Sequence, residues 1–110
     1  MSNYKKESII IKDKEYDIFI GKNAKGNEEI IKLCNQDSIW FHFDDISSSH
    51  IILDNKGDKI PKEFLKKVGL LLYQYKKNVP KNTKIIYTKL SNINLTNDIG
   101  TVIPSNYKYL

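Results

Sequence analysis

The sequence predicts a single α+β domain on a largely antiparallel sheet, with elements in the order ββ-α-ββ-α-ββ and one long and one short helix. Three observations carry that expectation. β-Branched and aromatic residues recur in short runs, some with period two. One longer stretch, 61–77, places apolar residues at the helical period. Gly, Asn and Pro fall between the runs, where turns belong. The 110 residues fit one domain and leave no room for a second with its own core.

Taken in order, residues 1–7 read as a loose start and 8–110 as the domain. Ser8–Lys12 is β-branched and reads as a strand, Asp13-Lys14 as a turn. Glu15–Ile20 alternates, with Tyr16, Ile18 and Ile20 on one side and Asp17 and Phe19 on the other, so the two runs make a hairpin. Gly21–Asn27 holds two glycines and two asparagines and reads as a turn-rich loop. Asn27 is expected to cap a short helix over 28–35, with Glu28 and Glu29 in its first turn. Asp37–Phe43 is a strand, Asp44–Ser49 a loop, His50–Leu53 the next strand, and Asp54–Lys59 turns at Gly57. Pro61 suits the first position of the long helix, 61–77, whose buried face is Phe64, Leu65, Val68, Leu71, Leu72 and Tyr75. Pro80 stops it. Thr83–Leu90 is a strand, Ser91–Asn97 a polar connection and Gly100–Ile103 a last short strand.

Forty per cent hydrophobic and 28% charged residues describe a globular chain, not a disordered one. A net charge of +5 favours polyanionic partners, nucleic acid or an anionic membrane surface. All 18 cations are Lys, and Ile, Lys and Asn make up 46 of the 110 residues, a bias that an AT-rich genome would also produce. Lysine contacts phosphates as a point charge and lacks the planar fork that reads guanine edges, so binding is expected to be led by the backbone and weakly sequence-specific. The single cysteine, Cys34, follows apolar Ile30, Ile31 and Leu33 and reads as a core filler in a reducing compartment. Met1–Glu7 is polar and Ile9–Ile11 is too short for a signal peptide, and no stretch is long enough to span a membrane, so a cytoplasmic location is expected, the host cytoplasm if the source is viral.

The chemistry-bearing residues gather in the middle of the chain. Ile39, Phe41, Phe43, Ile51 and Leu53 share parity; if they face the core, Trp40, His42, His50 and Ile52 face the other way. Both histidines then lie beside the only tryptophan. Three readings stand for this cluster: a structural one, with Trp40 and His42 packed under a helix; a base-stacking or phosphate-contact surface; and a metal site joined by Asp44 or Asp45, which no cysteine pair or His-x-x-x-His spacing supports. Ser47–Ser49 precede His50, but no base geometry or oxyanion loop is evident, so nucleophilic catalysis is not expected.

Two basic features accompany the cluster. In Gly21–Asn27, amides near a helix start could cradle a phosphate, with Lys22 and Lys25 adding charge. That loop fits neither nucleotide-binding glycine pattern and otherwise reads as a polar loop that carries lysines. On the long helix, Lys62, Lys66, Tyr73 and Lys77 fall on the face opposite Phe64, Val68 and Tyr75, either as a solvated face or as a rail for phosphates that Lys84 and Lys89 extend. The candidate nucleic-acid contacts are therefore Lys22, Asn23, Lys25, Asn27, Trp40, His42, Ser49, His50, Lys62, Lys66, Lys77 and Lys89, with no cofactor or metal.

Several segments resemble one family in the right order. IFIGKNAKGNEEII (Ile18–Ile31) is similar to the opening of NFACT-R domains, DSIWFHF (Asp37–Phe43) to their Asp-x-x-Trp-x-His core, and SSSHIIL (Ser47–Leu53) to the segment with their second histidine. IPKEFLKKVGLLL (Ile60–Leu72), KIIYTKLSNI (Lys84–Ile93) and DIGTV (Asp98–Val102) extend the match over roughly 8–105. Ser48-Ser49 before His50, in place of Gly-Ser, resembles the branch whose members continue into a coiled-coil arm. The resemblance implies a non-enzymatic RNA-binding module whose partners are tRNA or rRNA and the ribosome, as in ribosome-associated quality control. DNA binding, as in the coiled-coil branch, and a protein-interaction role stand as alternatives.

Overall fold

The computed structural model describes residues 2–110. It has eight strands and two α-helices, in the expected order up to the fifth strand and with three short strands after it. β1 (Tyr4–Ile11) and β2 (Lys14–Gly21) form the first hairpin. Its turn is one residue earlier than the sequence reading, at Lys12 and Asp13, whose φ values of 50° and 65° are those of the tight turn that matches strand twist. β1 also takes in Tyr4–Glu7, the segment read as loose, because it pairs along its whole length with β2.

α1 spans Ala24–Leu33, not 28–35. Asn23, with extended backbone, is its cap and accepts the Gly26 amide through Oδ1 at 2.8 Å. Most of the supposed loop is thus helix, and Glu28 and Glu29 sit in its second turn. The sequence reading made Asn27 the cap; the structure replaces it with Asn23, since Asn27 is buried and bonded elsewhere.

β3 (Ile39–Phe43), β4 (Ile51–Asp54), β5 (Ile85–Lys89) and β8 (Lys108–Tyr109) complete a six-stranded sheet of order β1-β2-β4-β3-β5-β8, every pair antiparallel. β6 (Ile93–Leu95), inside the stretch read as a polar connection, and β7 (Val102–Pro104) form a separate hairpin.

α2 spans Lys62–Leu70 and tightens into a 3-10 turn over Leu71–Gln74, so the helix is shorter than the 61–77 expected. The apolar positions were read correctly: Leu65, Val68 and Leu72 are buried, with Phe64, Leu71 and Tyr75 packed beside them. After Tyr75 the chain turns through Asn78, whose φ of 58° ends any helix. Lys77 therefore lies beyond the helix, and Tyr73 packs edge-on against Phe43 at 4.9 Å instead of joining the lysine face. The proposed rail reduces to Lys62 and Lys66, one turn apart.

Both faces of the sheet are covered, and the parity rule decides which residue goes where. Phe41, Phe43, Ile51 and Leu53 meet α2 on one face. Trp40, Ile52 and Ile86 meet Ile30 and Ile31 of α1 on the other, with Leu90 and Ile93. The second cluster lies where the sequence alone left a choice between a surface and a helix-covered face.

Candidate nucleic-acid interface

Trp40 lies on the central strand β3 and is 1% exposed, beneath α1. Its indole Nε1–H donates to Nδ1 of His50 at 3.2 Å, and the two rings meet edge to face with centroids 5.4 Å apart. His50 is 3% exposed at the entry to β4. Because Nδ1 accepts, the imidazole proton sits on Nε2. Burial, together with nearby His42, pushes the His50 pKa down to about 3, so the ring stays neutral. His42 stacks flat on Trp40 at 5.4 Å and 13°, and is half-buried; burial lowers its pKa against hydrogen bonds to the backbone of Phe43 and Ser48.

Asn27 ties this cluster to α1. Its Oδ1 accepts the His50 backbone N–H at 3.0 Å, and its Nδ2 donates to the Ser48 carbonyl at 3.5 Å. Gly21 lies directly against the Asn27 side chain, and any Cβ there would strike Asn27 Oδ1. Asn3 closes the other side: its carbonyl accepts the Lys22 N–H at 2.9 Å and its side chain bonds Asn23 and Glu29. Gly100, at φ 77°, lies against Ala24 and donates its N–H to Glu28 Oε2 at 3.3 Å, which pins the β6–β7 hairpin to α1.

These elements enclose an open cleft of about 780 Å³. Lys22, Asn23, Asn27, Trp40, His42, Ser49 and His50 all line it, so seven of the twelve sequence candidates come together in space. Trp40 and His50 form its floor. The reading of Trp40 as a base-stacking face is corrected, because a ring 1% exposed has no face to offer; it shapes the cleft. Lys25 is exposed on α1 outside the lining. Lys62 and Lys89 line a second cleft, of about 810 Å³, beyond the far ends of β3 and β5, and Lys66 and Lys77 are exposed outside both.

Charge differs between the clefts. At the first, Lys22 and Lys76 stand against Asp44 and Asp45. The second carries Lys59, Lys62, Lys89 and Lys108 against Asp37 and Asp58. Asp58 is already engaged, by Lys14 and the Tyr16 hydroxyl at 2.6 Å each, which hold its carboxyl below the usual range. Among the described residues the ion pairs involve only Lys5, Lys6, Lys14 and Lys32, so the lysines of both clefts are in no ion pair.

Sequence reasoning missed Lys59, Lys76 and Lys108, and it missed Tyr107. Lys108 lies between two tyrosines in Tyr107-Lys108-Tyr109, a period-two pattern that could have flagged a strand with two unlike faces. Among the described residues no group of three or more His, Cys, Asp or Glu is placed to hold a metal ion, and burial pushes the Cys34 thiol up to about 12, far from a nucleophile's range. Among the described residues no helix is long and apolar enough to cross a membrane.

Residues 6–105 match the NFACT protein RNA binding domain. The chain belongs to that family. Over 98 residues it is 36% identical to coiled-coil domain-containing protein 25 of Bos taurus, covering 84% of this chain and 47% of that protein, and the Danio rerio protein is 39% identical over 88 residues, 74% of this chain and 42% of its own. The Rqc2 homolog RqcH of Streptococcus pneumoniae is 33% identical over 55 residues, 49% of this chain and 10% of that protein. The chain thus spans about half the length of the first of these relatives. The fold is that of the C-terminal part of the fibronectin/fibrinogen-binding protein of Streptococcus suis, with a TM-score of 0.79 at 24% identity over 96% of this chain and 44% of that one. As an NFACT RNA-binding domain, the chain places its Trp-x-His strand and Ser-His turn at one cleft, and the matched span includes every lining residue of that cleft except Tyr107.

Proposed function

We propose that this NFACT RNA-binding domain is a non-catalytic module for tRNA or ribosomal RNA, acting on the ribosome in quality control. Lys22 and Lys25, at the start of α1, contact phosphates beside the first cleft, and Lys62 and Lys89 do so at the second. The observation that carries the reading is the family match across residues 6–105, which spans both groups of lysines. The unpaired lysines and the first turn of α1 support it, since helix-start amides and ammonium groups both favour an anion. With no Arg in the chain, recognition rests on backbone charge and RNA shape.

Fluorescence anisotropy tests it, with labelled tRNA, single-stranded RNA and duplex DNA titrated at low and moderate salt. Tight RNA binding with a steep salt slope is expected. Preference for duplex DNA would replace RNA by DNA as the ligand. No binding at low salt would overturn the reading in favour of protein partners. Replacing Lys22 and Lys25 by Ala should weaken binding and flatten the slope; an unaltered slope removes these two lysines from the interface.

A further inference from the structure

We infer that β8 and the residue before it form a stacking platform for an unpaired stretch of RNA, with Tyr107 and Tyr109 each taking a base. The inference deepens the RNA-binding reading and rests on it.

Residues His42, Ile86 and Tyr109 form one row across three neighbouring strands, His42 paired with Ile86 and Ile86 with Tyr109. Side chains in such a row share a face, so Tyr109 stands on the same side of the sheet as the first cleft, roughly 10 Å from His42 at two strand spacings. Tyr107 has the same parity and lines that cleft. Both rings are open to solvent, Tyr107 at 38% and Tyr109 at 45%. They are set nearly perpendicular, at 85° with centroids 5.7 Å apart, so one base cannot lie flat on both and each ring offers its own face.

Charge around the rings is arranged for a strand, not a duplex. The Lys84 ammonium lies over the Tyr109 ring, 5.0 Å from its centre, so a base would take the ring's other face, and Lys108 leaves β8 between the tyrosines toward the second, lysine-rich cleft on the opposite face of the sheet. The Lys84 ammonium suits a phosphate at the outer edge of the platform. On the inner side Asp44 and Asp45 line the first cleft, where carboxylates repel a phosphate but accept hydrogens from base amino groups. A bound strand would therefore point bases inward and backbone outward. Only unpaired bases have free faces, and in an A-form duplex the adenine and cytosine amino groups lie in a deep groove that side chains cannot enter, so a double helix cannot use this surface.

The test uses a single-stranded RNA carrying one 2-aminopurine, a duplex RNA of equal length, and the full chain. Wild type should bind the strand and quench 2-aminopurine. Y107A/Y109A should lose about tenfold or more in affinity for the strand and lose the quench, as expected when stacked bases are removed. It should keep its salt slope, since no charge is lost, and its duplex affinity. Tyr109→Trp should restore stacking where Tyr109→Leu does not, which separates a stacking role from a folding defect. Unchanged strand affinity in Y107A/Y109A, or equal weakening for strand and duplex, would overturn the platform alone while leaving an RNA-binding domain. Failure of wild type to bind any RNA would remove both readings.

Discussion

The Trp40 indole nitrogen donates to Nδ1 of His50, joining the two sequence motifs of this domain in one buried unit. The bond fixes the imidazole tautomer, and Asn27 holds the same histidine by its backbone. Trp40→Phe keeps a ring but leaves a buried nitrogen without its donor, which costs about 1–3 kcal/mol. Urea denaturation should show that loss. RNA affinity of the folded variant should change little, because Trp40 has no exposed face; a large loss of affinity at unchanged stability would put Trp40 in the interface after all.

Stability should fall on mild acidification. His50 is neutral when folded, with its pKa lowered to about 3 from an ordinary 6.5, and the His42 pKa is lowered too. The unfolded chain therefore binds more protons, and stability is full above pH 6.5 and declines toward the folded value. For His50 alone the loss between pH 7 and pH 5 is about 2 kcal/mol. Denaturation midpoints at the two pH values should show it, and His50→Gln should reduce the difference. The same pH dependence in His50→Gln would assign the effect to other groups.

The fold and the parity of the cluster were legible in the sequence because alternation is a local signal. Trp40 and His42 had to face away from Phe41 and Phe43 whatever covered them. What covered them was not local: α1 packs on Trp40 through Ile30 and Ile31, and nothing within Asp37–Phe43 announces it. The same limit explains the misplaced cap. Asn23 and Asn27 are equivalent by propensity, and only the burial of Asn27 against His50 and Gly21 separates them. Two of the second cleft's four lysines were missed for a similar reason, since Lys59 and Lys108 come together only when β8 returns to pair with β5.

Asn23 should act on stability chiefly as a cap. Its Oδ1 satisfies the Gly26 amide, so Asn23→Ala should cost about 1 kcal/mol, within the range for helix caps. Asn23→Asp should retain the cap. Thermal denaturation distinguishes this from Lys22→Ala and Lys25→Ala, which remove exposed, unpaired charges and should leave the melting temperature nearly unchanged. If Asn23→Ala is silent, the helix start lies elsewhere.

The second cleft should carry more of the salt dependence than the first. Lys59, Lys62, Lys89 and Lys108 gather at one site where Asp58 is already held by Lys14, whereas at the first cleft Asp44 and Asp45 offset Lys22 and Lys76. Each phosphate neutralised adds roughly 0.7 to the salt slope for a single strand. Replacing the four lysines with Ala should therefore lower the slope by up to about 2.8, against about 1.4 for Lys22 and Lys25 together, if every lysine meets a phosphate. Binding isotherms at several salt concentrations measure both. Equal slopes in wild type and the four-lysine variant would confine RNA to the face bearing the first cleft, and the charge gathered at the second would then serve solubility alone.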